Sequence, residues 1–272
     1  MRGAGRRARR EQRVDALLGL RQARPVVVDG DFHFAGLARG IVSQGGFKSD
    51  NRPLLQVQHL VAKGYIARGG QIIDATIVPV PKQRNTREEN EAIKGGETPK
   101  AWKKKPAKNR QKDKDARWTK KHGRSFYGYK NHVNADATHK LIRRYDVSDA
   151  AVHDSQKLDA LLNKANTCAD VFADSAYRSA EAEARLKARG FRSRIHVRAT
   201  RNHPLSQQQE EANRKKSQIR VRIEHVFGAQ ETSTGSRLVR TVGIVRARAK
   251  IGLQNLVYNI RRFVTLDRMA TV

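Results

Sequence analysis

Apolar and polar positions along the chain begin to alternate usefully near residue 58. Residues 58–67 set Leu60, Val61, Tyr65 and Ile66 at helical spacing and run into a Gly69-Gly70 stop. Residues 71–80 are dense in Ile, Val and Thr and close on Pro79 and Pro81, which predicts a buried strand with Asp74 at its middle. Residues 126–134 and 140–148 read as the two strands of a hairpin turning at 135–139. His153-Asp154-Ser155 offers helix caps ahead of an apolar face of Leu158, Leu161 and Leu162. Residues 169–173 predict a second buried strand, ending at Asp174.

The C-terminal part reads as mostly helical. Residues 179–188 form a short helix stopped by Gly190, and 192–198 alternate basic residues with Ile195 and Val197 in the manner of an edge strand. Ser206 and Gln209 match a capping box that opens a helix expected to run through Phe227 and stop at Gly228, with Ile219, Ile223, Val226 and Phe227 as its stripe. A last helix over 242–266 is expected to bury Val245, Ala249, Leu253, Leu256, Ile260 and Phe263. Strands alternating with helices around an antiparallel hairpin predict an α/β fold with a mixed sheet. Two stretches stand apart. Residues 1–57 are Arg- and Gly-rich with little periodicity and are expected to be irregular. Residues 81–121 are charged, broken by Gly95-Gly96, Pro99 and Pro106, and read as a basic excursion from a domain spanning 58–272.

Charge turns this fold reading toward a partner. Fifty-six Lys and Arg against 26 Asp and Glu leave a formal charge of +30. Such a chain binds a polyanion, and DNA is the expected one, because phosphate contacts release condensed counterions whatever the base sequence. A ribosomal or histone-like basic protein is the alternative on charge alone. No apolar run reaches membrane-span length, so no membrane partner is expected and the chain is placed in the cytoplasm. The single cysteine, Cys168, excludes an internal disulfide and is expected to pack in the core.

Three carboxylates occupy suggestive places: Asp74 inside a strand, Asp174 at a strand's carboxyl end, and Glu224 on the long helix. Brought together, they would repel unless cations neutralised them, and oxygen-only ligands fit Mg²⁺ or Mn²⁺, most simply as two ions. Each also has a plainer role available. Glu224 can pair with Arg220 one turn away, and Asp174 can cap the turn starting at Ser175; Asp74 alone is expensive without a partner.

The segments GQIIDATIV at 70–78, FYGYKNH at 126–132, VHDS at 152–155, ADSAYR at 173–178 and RVRIEHVFG at 220–228 resemble the DDE transposases of bacterial insertion sequences, the IS-five group most of all. The resemblance runs from about residue 58 to 266. It implies a ribonuclease H-like sheet flanked by helices, with Asp74, Asp174 and Glu224 as the catalytic, metal-holding carboxylates. It further implies metal-dependent cleavage at element ends and strand transfer into target DNA, by a chain that is a homo-oligomer on DNA. Arg220 matches the arginine of the family's tyrosine-arginine-glutamate-lysine signature, whereas Ser217 and Glu231 stand at the tyrosine and lysine positions. Residues 1–57 do not resemble the family's helical end-binding region, which is expected of a frameshifted or truncated copy. Two alternatives remain, a nuclease that never joins strands and an inactive remnant that binds DNA through charge. Lys130, Arg178, Arg194 and Arg198 are candidate phosphate contacts, with solvated charge as the alternative. Trp118 or Trp102 would stack on an unpaired base or else pack on the surface, and His132 and His153 would support the metals or serve the fold.

Overall fold

The computed structural model describes residues 60–121, 123–201, 203–234 and 238–270. The expected irregular segment 1–57 lies outside the described residues. Helix persists over 60–62 and ends at Gly64, whose φ of 85° suits glycine, a few residues before the expected Gly69-Gly70 stop.

A six-stranded mixed sheet organises the described chain. Strand β1 (Gln71–Pro79) is followed by three short helices, α1 (Arg87–Lys94), α2 (Lys100–Lys103) and α3 (Pro106–Gln111). Then come β2 (Arg117–Lys121), β3 (Arg124–Asp136), β4 (Ile142–Asp149), α4 (Leu158–Leu161), β5 (Asp170–Ala173), α5 (Ala180–Ala188) and β6 (Arg192–Ser193). The chain closes with α6 (Gln207–Arg220), α7 (Arg222–Thr234) and α8 (Ile244–Ala270). The strand order is β2-β3-β1-β5-β6, with β4 also paired to β3; β1 runs antiparallel to β3 and parallel to β5. The expected α/β, ribonuclease H-like mixed sheet flanked by helices is therefore the fold observed.

Period-two alternation along β1 sends successive side chains to opposite faces. Ile73, Val171 and Ala173 join Leu158, Leu161, Leu162, Leu186 and Ile195 on one face. Ile72, Phe172, Val133 and Ala135 meet Ile223, Val226, Phe227 and Tyr258 on the other, the face covered by α7 and α8.

Three expectations need correction. The helix opened by the Ser206–Gln209 capping box is interrupted at Val221 and resumes as α7, passing through Gly228 instead of stopping there. A mid-helix glycine costs only about 1 kcal/mol, which the packing of Ile223, Val226 and Phe227 outweighs. The face expected to bury α8 is rotated: Val245 is 70% and Ile260 51% exposed, while Ala247, Ile251, Asn255, Tyr258 and Asn259 are buried. Polar residues carry much of that buried face, so apolar periodicity alone selects the wrong side. Asn259 accepts from the Ile142 N–H at 2.8 Å and donates to the Ile142 carbonyl at 2.8 Å, and Asn255 pairs with Asn131.

The basic excursion 81–121 contributes buried residues of its own. Trp102 is fully buried, its indole N–H donating to Glu89, with the Lys108 and Lys112 ammonium groups 5.5 Å from its ring centre. Asp113 is buried and accepts from the Tyr129 hydroxyl at 2.7 Å and from the Gly243 N–H at 3.2 Å, tying the excursion to the sheet and to the entry of α8. The last correction is Cys168, which is half-buried in the loop before β5 and outside the core clusters.

Candidate acidic site

Asp74 and Asp174 are neighbours because of strand register. The parallel β1–β5 pair matches Ile72 with Phe172 and Ile73 with Ala173, so the next residues on the two strands are the two aspartates. Alternation then sends both toward the α7 face, along with Ile72 and Phe172. This is the carboxyl edge of a parallel strand pair, where open α/β sheets place their sites.

Asp74 is largely sequestered, its side chain 20% exposed. Burial pushes its pKa up and the charge of Asp174 adds to this; the Ala75 N–H, Arg220 and Lys121 pull it down. One carboxylate oxygen accepts from the Ala75 N–H at 2.8 Å, and the other lies 3.0 Å from Arg220 Nη1. Asp174 accepts from the Ser175 N–H at 2.6 Å and so caps the short turn Ser175–Tyr177, the plainer role open to it from sequence.

Glu224 reaches the pair through an intermediary. Arg220 Nη2 lies 3.9 Å from its carboxylate, and the Glu224 side chain is 62% exposed. One guanidinium thus sits between Asp74 and Glu224, and its Nε has no hydrogen-bond partner among the described residues. The interruption at Val221 separates the two roles of this segment: Arg220 ends α6 against Asp74 while α7 buries Ile223 and Val226 and carries Glu224. Among the described residues, no three His, Cys, Asp or Glu side chains meet closely enough to hold a metal as they stand.

The donors nevertheless suit a hard divalent cation. Two carboxylates lie close enough to repel, and a cationic side chain offsets this by bridging one of them to a third acid, the part a cation could take over. The buried Tyr177 hydroxyl has no hydrogen-bond partner among the described residues; burial and the charges of Asp74, Asp154 and Asp174 all push its pKa up.

Sequence reading missed several residues at this site. His196 follows β6, where its N–H donates to the Ala173 carbonyl, and its Nε2 is 3.2 Å from Ser217 Oγ. Burial lowers its pKa, Arg220 and Lys216 add to the shift, and Asp174 opposes it. The alternation of Arg194, Ile195, His196 and Val197 was the only trace of its position. Lys121 was equally hidden, since nothing local to β2 records its influence on Asp74.

The other candidates scatter. His132 and Lys130 lie on the opposite face of the sheet: His132 is buried against Ser148, and Lys130 pairs with Asp154 at 2.9 Å and the Val152 carbonyl at 2.8 Å. His153 caps the turn Asp154–Lys157. Arg194 pairs with Asp170 at 3.3 Å, Arg178 lies 3.7 Å from Glu183, and Arg198 is exposed. Trp118 is 46% exposed and tilts against Tyr127 at 5.1 Å.

A sheet of this order, with two aspartates at the edge of its parallel pair and a helix bringing arginine and glutamate to them, defines a ribonuclease H-like protein. Residues 67–260 match the family model described as the transposase DDE domain. The chain belongs to that family, and so is a transposase-family protein. It is 33% identical over 196 residues to the transposase for insertion sequence element IS1106 of Neisseria meningitidis serogroup B, a match covering 70% of this chain and 63% of that protein. The chain therefore spans less than two thirds of that relative's length. No solved structure matches it. No helix among the described residues is long and apolar enough to cross a membrane.

Proposed function

We propose that this chain is a DDE transposase of the IS-five group that cuts DNA at the ends of an insertion element and joins the freed 3′ hydroxyl to target DNA. Asp74, Asp174 and Glu224 are its carboxylates. The observation that carries the reading is the register match of β1 with β5, which sets two aspartates side by side on the face where Arg220 and Glu224 arrive. A relative that is itself the transposase of an insertion element supports it.

Asp74 and Asp174 would hold Mg²⁺ or Mn²⁺, with Glu224 completing the set once Arg220 no longer spans the acids. A bound pair of such ions supplies activation of the attacking oxygen and stabilisation of the leaving 3′ oxygen in an in-line displacement. Arg220, released from Asp74, is then placed to meet a phosphate, which agrees with its match to the family signature. The chain's charge supplies the affinity for DNA, and the homo-oligomer on DNA belongs to the same reading.

The test is cleavage and joining of a duplex carrying candidate terminal sequences taken from the DNA on either side of the gene, with Mg²⁺ or Mn²⁺. Asp174→Asn keeps an acceptor for the Ser175 N–H, so folding should survive while nicking and joining fall to background. Nicking without joined product from a pre-cut end would make the chain a nuclease. Nicking unchanged in Asp174→Asn would reduce it to a DNA-binding remnant.

A further inference from the structure

β2 and the first residues of β3 form a two-stranded ribbon that continues past the end of β1. Residues 124–126 of β3 pair only with β2, because the ladder with β1 ends at Gly128 opposite Pro79 and the Val80 N–H makes a last bond to the Tyr127 carbonyl. Lys120, Lys121, Gly123, Arg124 and Ser125 at its far end are all exposed. No described carboxylate forms an ion pair with Lys120, Lys121 or Arg124.

Strand alternation distributes these groups on both sides of the ribbon. Trp118 and Lys120 share one side with Tyr127, while Lys121 and Arg124, directly paired, occupy the other. Cations on both faces of a thin, twisted element suit insertion between two phosphate backbones, since a two-stranded ribbon fits the major groove. The Trp118 ring, tilted on Tyr127, adds an aromatic surface of the kind that stacks on bases.

Asp74 pairs with Val133, nine positions along β3 from Arg124, so the extended ribbon carries its tip roughly 30 Å along the strand from the acid. Gly128, where the ribbon leaves the β1 edge, has no room for a side chain: a Cβ there would meet the Val78 carbonyl.

We propose that the β2–β3 ribbon is an arm by which the domain grips DNA, with Lys120, Lys121 and Arg124 on phosphates and Trp118 against a base. This rests on the transposase reading for its ligand, but its test reads binding and does not depend on cleavage.

Full-length protein is titrated by fluorescence anisotropy with a labelled duplex of arbitrary sequence bearing a 3′ single-stranded extension, over a range of salt. The triple variant Lys120→Gln/Lys121→Gln/Arg124→Gln should flatten the slope of log affinity against log salt by about 2 to 3, since each phosphate contact contributes about 0.9. Lys120→Arg/Lys121→Arg/Arg124→Lys should keep the wild-type slope, which separates loss of charge from loss of fold. The chain has two tryptophans, and Trp102 is fully buried. DNA should therefore quench tryptophan emission in the wild type and not in Trp118→Phe. A wild-type slope in the Gln variant, or quenching that persists in Trp118→Phe, overturns the assignment. If Asp174→Asn cleaves like the wild type, the catalytic reading fails while the ribbon result stands.

Discussion

Arg220 is where the plain and the catalytic readings of this chain compete. Its guanidinium neutralises Asp74 and reaches Glu224, doing for the acids what divalent ions would do. Removing it leaves Asp74 beside Asp174 with less compensation, and losing one partner of a partly buried pair costs about 1 to 3 kcal/mol. Arg220→Ala should therefore lower the melting temperature without metal, and Mg²⁺ or Mn²⁺ should restore more of the loss than it adds to the wild type. Equal metal effects on both proteins in calorimetry would mean the acids do not share a cation. His132 gives a second prediction at this scale. Burial lowers its pKa to about 4, with Lys130 and Lys157 adding to the shift and Asp154 and Asp146 opposing it. Its folded-state pKa thus lies below the unfolded value near 6.5, so below that pH the unfolded chain binds a proton the folded chain refuses. Stability from this group is whole above about 6.5 and drains away as pH falls through about 4. Urea melts should show the gap between wild type and His132→Gln narrowing over that window; a constant gap would refute the assignment.

Elements differ in how far local pattern determines their packing. Strands β1 and β5 follow their apolar runs closely, because both are covered on the sheet's two faces and most of their covered positions are apolar. Helix α8 does not, because Asn255 and Asn259 occupy its buried face and satisfy polar groups of β3 and β4 that would otherwise be stranded. Asn259→Leu leaves the Ile142 N–H and carbonyl without those partners and should cost about 2 to 4 kcal/mol in chemical denaturation. Ile260→Ser, one residue along and apolar in pattern, should change stability by no more than about 0.5 kcal/mol. The reverse ranking would mean α8 packs as its apolar stripe suggests. The excursion 81–121 behaves similarly: its charges look solvated, yet Trp102 and Asp113 anchor it through partners far along the chain.

For the molecule as a whole, +30 on 272 residues makes DNA binding a salt-controlled equilibrium. A protein neutralising about six phosphates should lose roughly 10³-fold in affinity for a duplex of arbitrary sequence between about 50 and 200 mM salt. Affinity that barely responds to salt would argue against a phosphate-led interface. The α/β class, the buried strands carrying Asp74 and Asp174, the capping box at Ser206 and the family motifs were all legible in sequence, because each depends on spacing within one segment. The resemblance also named Glu224, but nothing local says that it reaches Asp74 only through Arg220, that His196 and Tyr177 feel the charge of the aspartates, or that Lys121 helps to lower the pKa of Asp74. Those relations join residues up to 150 positions apart, as with Asp74 and Glu224. Strand register and helix packing decide them, whereas local periodicity reports only which face of an element is apolar.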